Sequence, residues 1–248
     1  MKMQSENPPW FAEWFNSDLY TRVYKHRCDA EAHTTVQLML QVLNLPAGAH
    51  VLDLACGNGR HTLALHEAGL NAAGLDLSPT LLQQARERLP AKVPLFNQDM
   101  RDPIPQGPWD AVGNFFTSFG YFDDRDQDIQ VLRRVHDALL ERRGHFFFDY
   151  LNAEHTRRNL VPREESTVED LVIRQERRAD ARHVHKKISI RQGAHEHSFE
   201  ERVRLYTLDD FRDMFAAAGL SIRNVYGDYR GADYGSDSPR LILVAQAE

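Results

Sequence analysis

A chain of 248 residues, 42% apolar and 27% charged, is long enough to bury the core of one α/β domain and has the composition of an ordinary globular protein. A net charge of −6 argues against a nucleic-acid-binding surface, and no apolar run is long enough to span a bilayer. The N-terminal segment lacks the apolar core of a signal peptide, and the two cysteines imply no disulfide framework. We therefore expect a cytoplasmic protein with no nucleic-acid partner and no membrane partner.

The first predicted elements form an N-terminal helical cap over about residues 9–44. Residues 9–27 are rich in aromatic side chains at a spacing that suits a helix packed on the core. A lid over a bound ligand is an equally good interpretation of these aromatic residues, and the two interpretations are compatible. A helix is predicted from Asp29 to Leu43, and the Pro-Ala-Gly segment at 46–48 ends it.

Apolar strands and helices alternate from residue 50 onward. Strands are predicted at 50–55, 72–77, 94–98, 109–115 and 144–150. Ser78 is a predicted N-cap with Pro79 at the first helical position, and a further helix is predicted from about Asp124 to Leu140. Repeated β-α-β units predict a parallel sheet with helices on both faces.

Residues 151–206 interrupt this alternation. The charged, partly alternating segments at 163–174, 178–191 and 195–206 predict an inserted antiparallel β meander, which would act as a lid or as a dimer surface. A helix over 207–218 and an edge hairpin of strands at 221–226 and 240–245 follow. The expected fold class is α/β: a single domain over 1–248, with a Rossmann-like, doubly wound, seven-stranded, mostly parallel sheet and the inserted meander. Either a monomer or a homodimer is compatible with it.

The glycine turn after the first predicted strand is the most informative motif. Gly57 and Gly59 allow a tight turn and a close approach by a ligand. Asp76 ends the second predicted strand 23 positions after Asp53, where a carboxylate suits a ribose diol. Thr62 replaces the third glycine of a dinucleotide site, and Asp53 would repel a pyrophosphate but accept hydrogen bonds from an amine. The pattern favours S-adenosylmethionine (SAM) over a dinucleotide.

Four segments resemble one family in order and spacing. The segment from Asp53 to His61 resembles motif I of class I SAM-dependent methyltransferases, in which Asp76 falls on the ribose-binding acid. Residues 97–101 resemble the adenine-side motif of these enzymes. Residues 115–122 and 238–242 resemble segments of a bacterial small-molecule branch of the family. The resemblance implies a methyltransferase that acts on a nitrogen, oxygen or carbon atom of a small molecule.

The resemblance covers nearly the whole chain, from about Trp10 to Gln246, and departs from the family at Ala55, where many members carry glycine. It implies cofactor-binding residues, most of them at the carboxyl ends of the strands. They are Tyr20, Tyr24, Asp53, Ala55, Cys56, Gly57, Gly59, Arg60, Asp76, Leu77, Asp99, Met100 and Phe115.

Acceptor contacts are expected in the loop after the fourth predicted strand, since acceptors lie there in this fold. This loop lacks the Asn/Asp-Pro-Pro-Tyr signature of enzymes that methylate nucleobases or protein amides. The predicted substrate contacts are Thr117, Ser118, Tyr121, Tyr229 and Arg230. No residue is singled out as a general base; the candidates are Tyr121, His155 and His26.

The histidine pairs 183/185 and 195/197 lie on adjacent predicted strands, but a polar solvent-facing surface is the simpler interpretation, and we expect no metal. Three other functions stay open at this point. They are a nucleotide-dependent oxidoreductase, a SAM-binding regulator without catalysis, and a methyltransferase of a macromolecule.

Overall fold

The structure is a computed structural model that describes residues 8–25, 29–141 and 143–248. Its strands are β1 His50–Leu54, β2 Asn71–Asp76, β3 Leu95–Asn97, β4 Ala111–Asn114, β5 His145–Leu151, β6 Arg163–Val168, β7 Leu171–Ala179, β8 His183–Gln192, β9 His195–Arg204, β10 Leu220–Tyr226 and β11 Arg240–Ala247. Its helices are α1 Trp10–Phe15, α2 Asp18–Val23, α3 Asp29–Leu43, α4 Arg60–Glu67, α5 Pro79–Arg88, α6 Arg125–Ala138, α7 Ala153–Arg158 and α8 Leu208–Ala217.

Seven strands form the main sheet in the order β10-β11-β5-β4-β1-β2-β3. The five strands from β5 to β3 run parallel, while β11 is antiparallel to both β5 and β10. The central strands are buried on both faces, as Phe146, Phe147 and Phe148 of β5 show. The predicted seven-stranded, mostly parallel sheet is therefore confirmed, and the carboxyl ends of β1, β2 and β4 meet at one edge.

The inserted sheet is a separate antiparallel sheet of four strands in the order β6-β7-β8-β9. The predicted first segment of the meander is wrong in one respect, because it is divided into β6 and β7. Glu169 makes the turn between them at a φ of 55°, a left-handed conformation for which the sequence offers no glycine. Helix α7, capped by the side chain of Asn152, was also not predicted.

The N-terminal cap consists of two short helices and α3 instead of one aromatic helix followed by α3. Ser17 separates the two short helices and caps α2 by accepting a hydrogen bond from the Leu19 N–H. The Ser78 hydroxyl, at the start of α5, donates a hydrogen bond of 2.8 Å to the carbonyl oxygen of Phe15. The cap is thereby joined to the parallel sheet. Within the described ranges, no helix is both long and apolar enough to cross a membrane.

Candidate active site

A cavity of about 540 Å³ lies between the carboxyl ends of the parallel strands and the inserted sheet. Residues from three parts of the chain line it: the strand ends, the cap helices and β7 to β9. They include Tyr20, Tyr24, Ala55, Cys56, Gly57, Arg60, Asp76, Leu77, Asp99, Met100, Phe115, Thr117, Ser118, Tyr121, Arg177, Lys186 and Glu201. Most of the predicted site residues therefore share one cavity.

Asp76 is held by backbone groups at the base of the cavity. Its Oδ2 accepts a hydrogen bond of 2.8 Å from the Gly57 N–H, and its Oδ1 accepts one of 2.8 Å from the Ser78 N–H. Burial raises the pKa of this carboxyl group. Each oxygen has a second lone pair, so the group can also accept hydrogen bonds from a ribose diol. The residues at this position fit the nucleoside of SAM.

Gly57 lies beside Asp76 in the left-handed region, at a φ of +55°. A Cβ at this position would meet only a Leu81 methyl, 3.8 Å away, and the glycine lines the cavity. Backbone can therefore approach a ligand closely here.

Gly59 and Asp53 do not line the cavity, although both are predicted to bind the cofactor. Gly59 has a φ of +79°, and a Cβ there would come within 3.0 Å of a Leu89 methyl, so this glycine serves the packing of α4 near α5. Asp53 is buried behind the cavity wall and accepts a hydrogen bond of 2.6 Å from the Thr62 hydroxyl. Burial raises the pKa of Asp53 to about 7. Thr62 thus pairs with the acid in place of a third glycine.

The wall next to the glycine turn contains a buried aromatic stack. The His61 ring lies parallel to the Phe115 ring, with 4.5 Å between centroids. Burial lowers the pKa of His61 to about 3, so the imidazole is neutral at pH 7. Ala55 lies in the same wall at a φ of 63°, a left-handed conformation that explains why glycine suits this position.

The side of the cavity formed by residues 99 and 100 carries a partly buried ion pair. Burial opposes ionisation of Asp99, but hydrogen bonds from Arg101 outweigh it and hold the pKa of Asp99 below its ordinary value. The two groups lie 2.5 Å apart, between Asp99 Oδ2 and Arg101 Nη2. Met100 beside them lines the cavity with an apolar side chain.

The loop after β4 is held in a strained conformation by a buried ion pair. Phe116 and Thr117 have φ values of 57° and 65°, which cost about 1–2 kcal/mol each for residues other than glycine. The Phe116 N–H donates to Asp149 Oδ2 at 2.8 Å, and Arg240 bonds both Asp149, at 2.7 Å, and the Thr117 hydroxyl, at 3.0 Å. Sequence reasoning missed Asp149 and Arg240. The one available signal was that Arg240 lies within the C-terminal segment that carries the resemblance.

Three further predicted residues lie away from the cavity wall. Tyr229 contacts the site only indirectly, since its hydroxyl donates to Asp149 Oδ2 at 2.9 Å, and Arg230 is exposed. The His155 side chain is half-buried on α7, with its Nδ1 3.1 Å from the carbonyl oxygen of Asp237. The fourth residue, His26, lies outside the described residues.

The inserted sheet contributes a row of charged side chains that sequence reasoning also missed. Arg177, Lys186 and Glu201 are direct partners across β7, β8 and β9, and all three line the cavity. Lys186 Nζ donates to the Tyr24 hydroxyl at 2.5 Å, and that hydroxyl donates to Glu201 Oε1 at 2.5 Å. The Trp14 indole N–H donates to the same oxygen at 2.8 Å. The only signal in the sequence is that Lys186 and Glu201 have the same strand phase as the apolar Ile188 and Phe199.

At the β7–β8 turn, the structure brings together Asp180, His183 and His185, with ligand-type atoms within 4.8 Å of one another. Asp180 Oδ1 accepts hydrogen bonds from the backbone N–H groups of Arg182 and His183. Arg204 lies directly opposite His183, and its charge opposes a second cation there. The cluster therefore serves to close a turn, and the expectation that the protein holds no metal stays a prediction.

Comparisons with known proteins agree with this geometry. A family model described as "Methyltransferase domain" matches residues 51–142. A putative methyltransferase of Bacillus subtilis, YqeM, is 26% identical over 216 residues, which cover 82% of this chain and 86% of that protein. The dTDP-3-amino-3,6-dideoxy-alpha-D-glucopyranose N,N-dimethyltransferase of Streptomyces fradiae is 27% identical over 75% of each chain.

A solved structure shares the fold. The S-adenosylmethionine-dependent methyltransferase of Clostridium acetobutylicum superposes with a TM-score of 0.78 at 20% identity, over 92% of this chain and 96% of that chain. The order of the strands, the glycine turn beside Asp76 and these similarities lead to one conclusion: the protein is a SAM-dependent methyltransferase with a methyltransferase domain over residues 51–142.

Proposed function

We propose that the protein transfers the methyl group of SAM to a small molecule bound between the cofactor crevice and the inserted sheet. One observation carries this proposal: a single cavity of about 540 Å³ extends from Asp76 on the parallel sheet to Glu201 on the inserted sheet. Its volume lies within the range of about 300–1,000 Å³ that is typical of small-molecule sites. The cap helices and the inserted sheet contribute to its wall, which supports a small acceptor over a macromolecule.

The cofactor half of the proposal assigns roles to four groups. Asp76 would hold the ribose hydroxyls, while Asp99 and Met100 would contact the adenine ring. Gly57 would let the backbone approach the ligand without steric conflict. SAM supplies a methyl group already activated on a sulfonium sulfur. The residues of this chain therefore contribute mainly by holding the acceptor atom in line with the methyl group, for which proximity and orientation supply most of the rate.

The acceptor half consists of the loop after β4 and the cap. Thr117, Ser118 and Tyr121 line the cavity there, with Tyr24 on the cap side. The Tyr121 hydroxyl donates to the Thr117 carbonyl oxygen at 2.8 Å, which fixes the ring in the cavity wall. A general base is needed only if the acceptor atom must lose a proton during attack. The name of the Streptomyces fradiae relative supports an amine as the first acceptor class to test.

The proposal is tested by isothermal titration with SAM and S-adenosylhomocysteine (SAH), followed by turnover assays on a panel of amines, phenols and carbon acids. We expect micromolar binding of both nucleosides and SAH formation with at least one small acceptor. Failure of the folded protein to bind either nucleoside would contradict the cofactor site. Binding of SAH together with turnover of RNA or protein, and of no small molecule, would contradict the acceptor class.

A further inference from the structure

Arg101 connects the cofactor half of the cavity to the acceptor half. Among the described residues that Arg101 contacts, Asp99 and Phe122 line the cavity, whereas Arg101 itself does not. Its guanidinium group forms an ion pair with the Asp99 carboxylate and also lies over the ring of Phe122. Arg101 is therefore placed to act on a bound ligand through these two residues.

The contact with Asp99 orients the carboxylate group and leaves it able to bind a ligand. Arg101 Nε and Nη2 donate to its two oxygen atoms at 3.0 Å and 2.5 Å, and the Arg101 backbone N–H donates to Oδ1 at 2.9 Å. A carboxylate accepts about four hydrogen bonds, so a donor such as the adenine amino group can add to these. Burial raises the pKa of Asp99, but the hydrogen bonds from Arg101 outweigh it and keep that pKa below its ordinary value.

The contact with Phe122 reaches the acceptor half. The guanidinium carbon of Arg101 lies 4.5 Å from the centre of the Phe122 ring, within the range of a cation–π interaction. Phe122 belongs to the loop after β4, and its ring meets the ring of Phe11 on α1 edge to face, with 5.6 Å between centroids. Its carbonyl oxygen accepts a hydrogen bond of 3.3 Å from Arg204 Nε at the end of β9. Phe122 thus joins Arg101 to the cap and to the inserted sheet.

Helix α6 holds Arg101 in this position. Gln127 Oε1 accepts a hydrogen bond of 3.0 Å from Arg101 Nη1. The Arg101 carbonyl oxygen accepts hydrogen bonds from Gln130 Nε2 at 2.8 Å and from Arg134 Nε at 3.1 Å. The helix therefore fixes both the guanidinium group and the backbone of Arg101 before a ligand binds.

We infer that Arg101 is a positioning residue that links the two halves of the cavity. One guanidinium group holds both the carboxylate that would contact the adenine and the aromatic ring that lines the acceptor half. The inference rests on the proposed function, since that function assigns Asp99 to the nucleoside. Linkage of this kind is reciprocal, so a change at Phe122 alters the affinity for the nucleoside through Arg101.

The test measures SAH binding to the full chain by calorimetry between about pH 4.5 and 7.5. The test variant is Arg101→Gln. Its matched control is Arg134→Gln, which removes a charge that contacts the Arg101 carbonyl instead of Asp99 or Phe122. Asp102, whose charge also acts on Arg101, is kept in every variant. At pH 7.5 we expect the test variant to bind SAH at least about tenfold more weakly than the wild type, and the control to stay within about threefold.

The pH profile distinguishes positioning from a general loss of structure. Without the guanidinium group, burial should raise the pKa of Asp99, so Arg101→Gln should lose further SAH affinity as the pH falls and Asp99 binds a proton. Asp53 and Asp76, whose pKa values burial raises, titrate in both proteins, so the difference between the two profiles reports Asp99. Arg101→Lys keeps the charge and should restore the wild-type profile. Parallel profiles for Arg101→Gln and the wild type would overturn the role of Arg101 at Asp99.

A double-mutant cycle tests the link to the acceptor half. Phe122→Leu keeps an apolar side chain but removes the cation–π contact. It should weaken SAH binding by about threefold in the wild-type background and leave it unchanged in the Arg101→Gln background. Equal losses in the two backgrounds would overturn the link, since Phe122 would then act independently of Arg101. If Phe122→Leu does not fold, Phe122→Met takes its place in the cycle.

SAH binding by the wild type keeps this inference distinct from the proposed function. If the folded wild type does not bind SAH, the proposed function fails. If the wild type binds SAH and Arg101→Gln binds it equally well at every pH, only the role of Arg101 fails.

Discussion

The cavity has a cofactor wall, which contains Asp76, and an acceptor wall, which contains Tyr24, Lys186 and Glu201. The contacts that build the two walls differ greatly in sequence separation. On the cofactor wall, Asp76 is fixed by backbone N–H groups 19 and 2 positions away. On the acceptor wall, Tyr24 reaches Glu201 across 177 positions and Lys186 across 162. Short-range turns and strand ends fix the wall that would hold the cofactor. Long-range pairing between the cap and the insertion fixes the wall that would select the acceptor, so the second wall can change without disturbing the first.

A substitution at the junction of the two walls, where Arg240 pairs with Asp149, should have the largest effect on stability. Arg240→Ala removes the partner of the fully buried Asp149 and leaves an uncompensated charge beneath the strained loop after β4. We expect the free energy of unfolding to fall by about 3–5 kcal/mol, measured by urea denaturation. The control is Arg223→Ala on the exposed edge strand β10, which should change it by less than about 0.5 kcal/mol. A similarly small loss for Arg240→Ala would show that the Phe116 and Tyr229 donors alone suffice for Asp149.

The cofactor wall is tested next by Asp76→Ala. Removal of the carboxylate eliminates the proposed ribose contacts and leaves the Gly57 and Ser78 N–H groups without their acceptor. Loss of hydrogen bonds to a charged group predicts a fall in SAH affinity of about 100-fold, or about 2.7 kcal/mol, by calorimetry. Asp102→Ala, an exposed change near the same rim, is the control. Unchanged SAH binding by a folded Asp76→Ala protein would remove Asp76 from the cofactor site.

A pH titration tests the buried acid behind the cofactor wall. Burial raises the pKa of Asp53 to about 7, above its ordinary value, so between these values the folded state keeps a proton that the unfolded state has lost. The contribution of this group to stability is complete below the unfolded pKa and is lost as the pH rises through the folded pKa. As the pH rises from about 5.5 to 7, deprotonation of Asp53 should lower the unfolding free energy of the wild type by about 2 kcal/mol.

Asp53→Asn should remove this part of the pH dependence while keeping an oxygen acceptor for the Thr62 hydroxyl. Asp128, whose burial also raises its pKa to about 7, titrates in both proteins, so the difference between them isolates Asp53. Denaturation of the two proteins across this range is the measurement. Parallel curves would mean that Asp53 is ionised in the folded protein throughout the range.

The acceptor wall is tested by Tyr24→Phe, which also decides between two roles for Tyr24. The sequence resemblance implies a cofactor contact, whereas the structure places its hydroxyl between Lys186 and Glu201. We expect SAH affinity to stay within about threefold of wild type, and the unfolding free energy to fall by about 1–2 kcal/mol through the two lost hydrogen bonds. A large loss of SAH affinity in a stable variant would return Tyr24 to the cofactor wall.

Sequence reasoning predicted cofactor contacts at the glycine turn and Asp76 because the signals there are local. The signals are an apolar strand followed by Gly57 and a second strand that ends on Asp76, and both lie within a few dozen residues. Glu201 and Lys186 give no comparable signal, because their function depends on a cross-strand register that pattern alone leaves undetermined. Asp149 was missed for a related reason, since its partner Arg240 lies 91 positions away. The division of the first meander segment into β6 and β7 was not predicted, because Glu169 adopts a turn conformation that glycine usually adopts.

The smallest expected effect concerns Ala55, the one departure from the glycine pattern of the family. Its φ of 63° costs an alanine about 1–2 kcal/mol, while a glycine would lose about 0.5–1 kcal/mol in chain entropy on folding. Ala55→Gly should therefore raise the unfolding free energy by about 0.5 kcal/mol and leave SAH affinity within about twofold.

The opposite change on the other side of the turn, Gly57→Ala, serves as the control. It adds strain at a φ of +55° and places a methyl group beside the ligand, so it should lower both stability and SAH affinity. If Ala55→Gly weakens SAH binding as Gly57→Ala does, the Ala55 methyl contacts the ligand and the alanine was selected for that contact. If only Gly57→Ala weakens SAH binding, the cofactor wall must lack a side chain at position 57 but not at position 55. The left-handed backbone of Ala55 is then a local strain that the rigid strand ends tolerate.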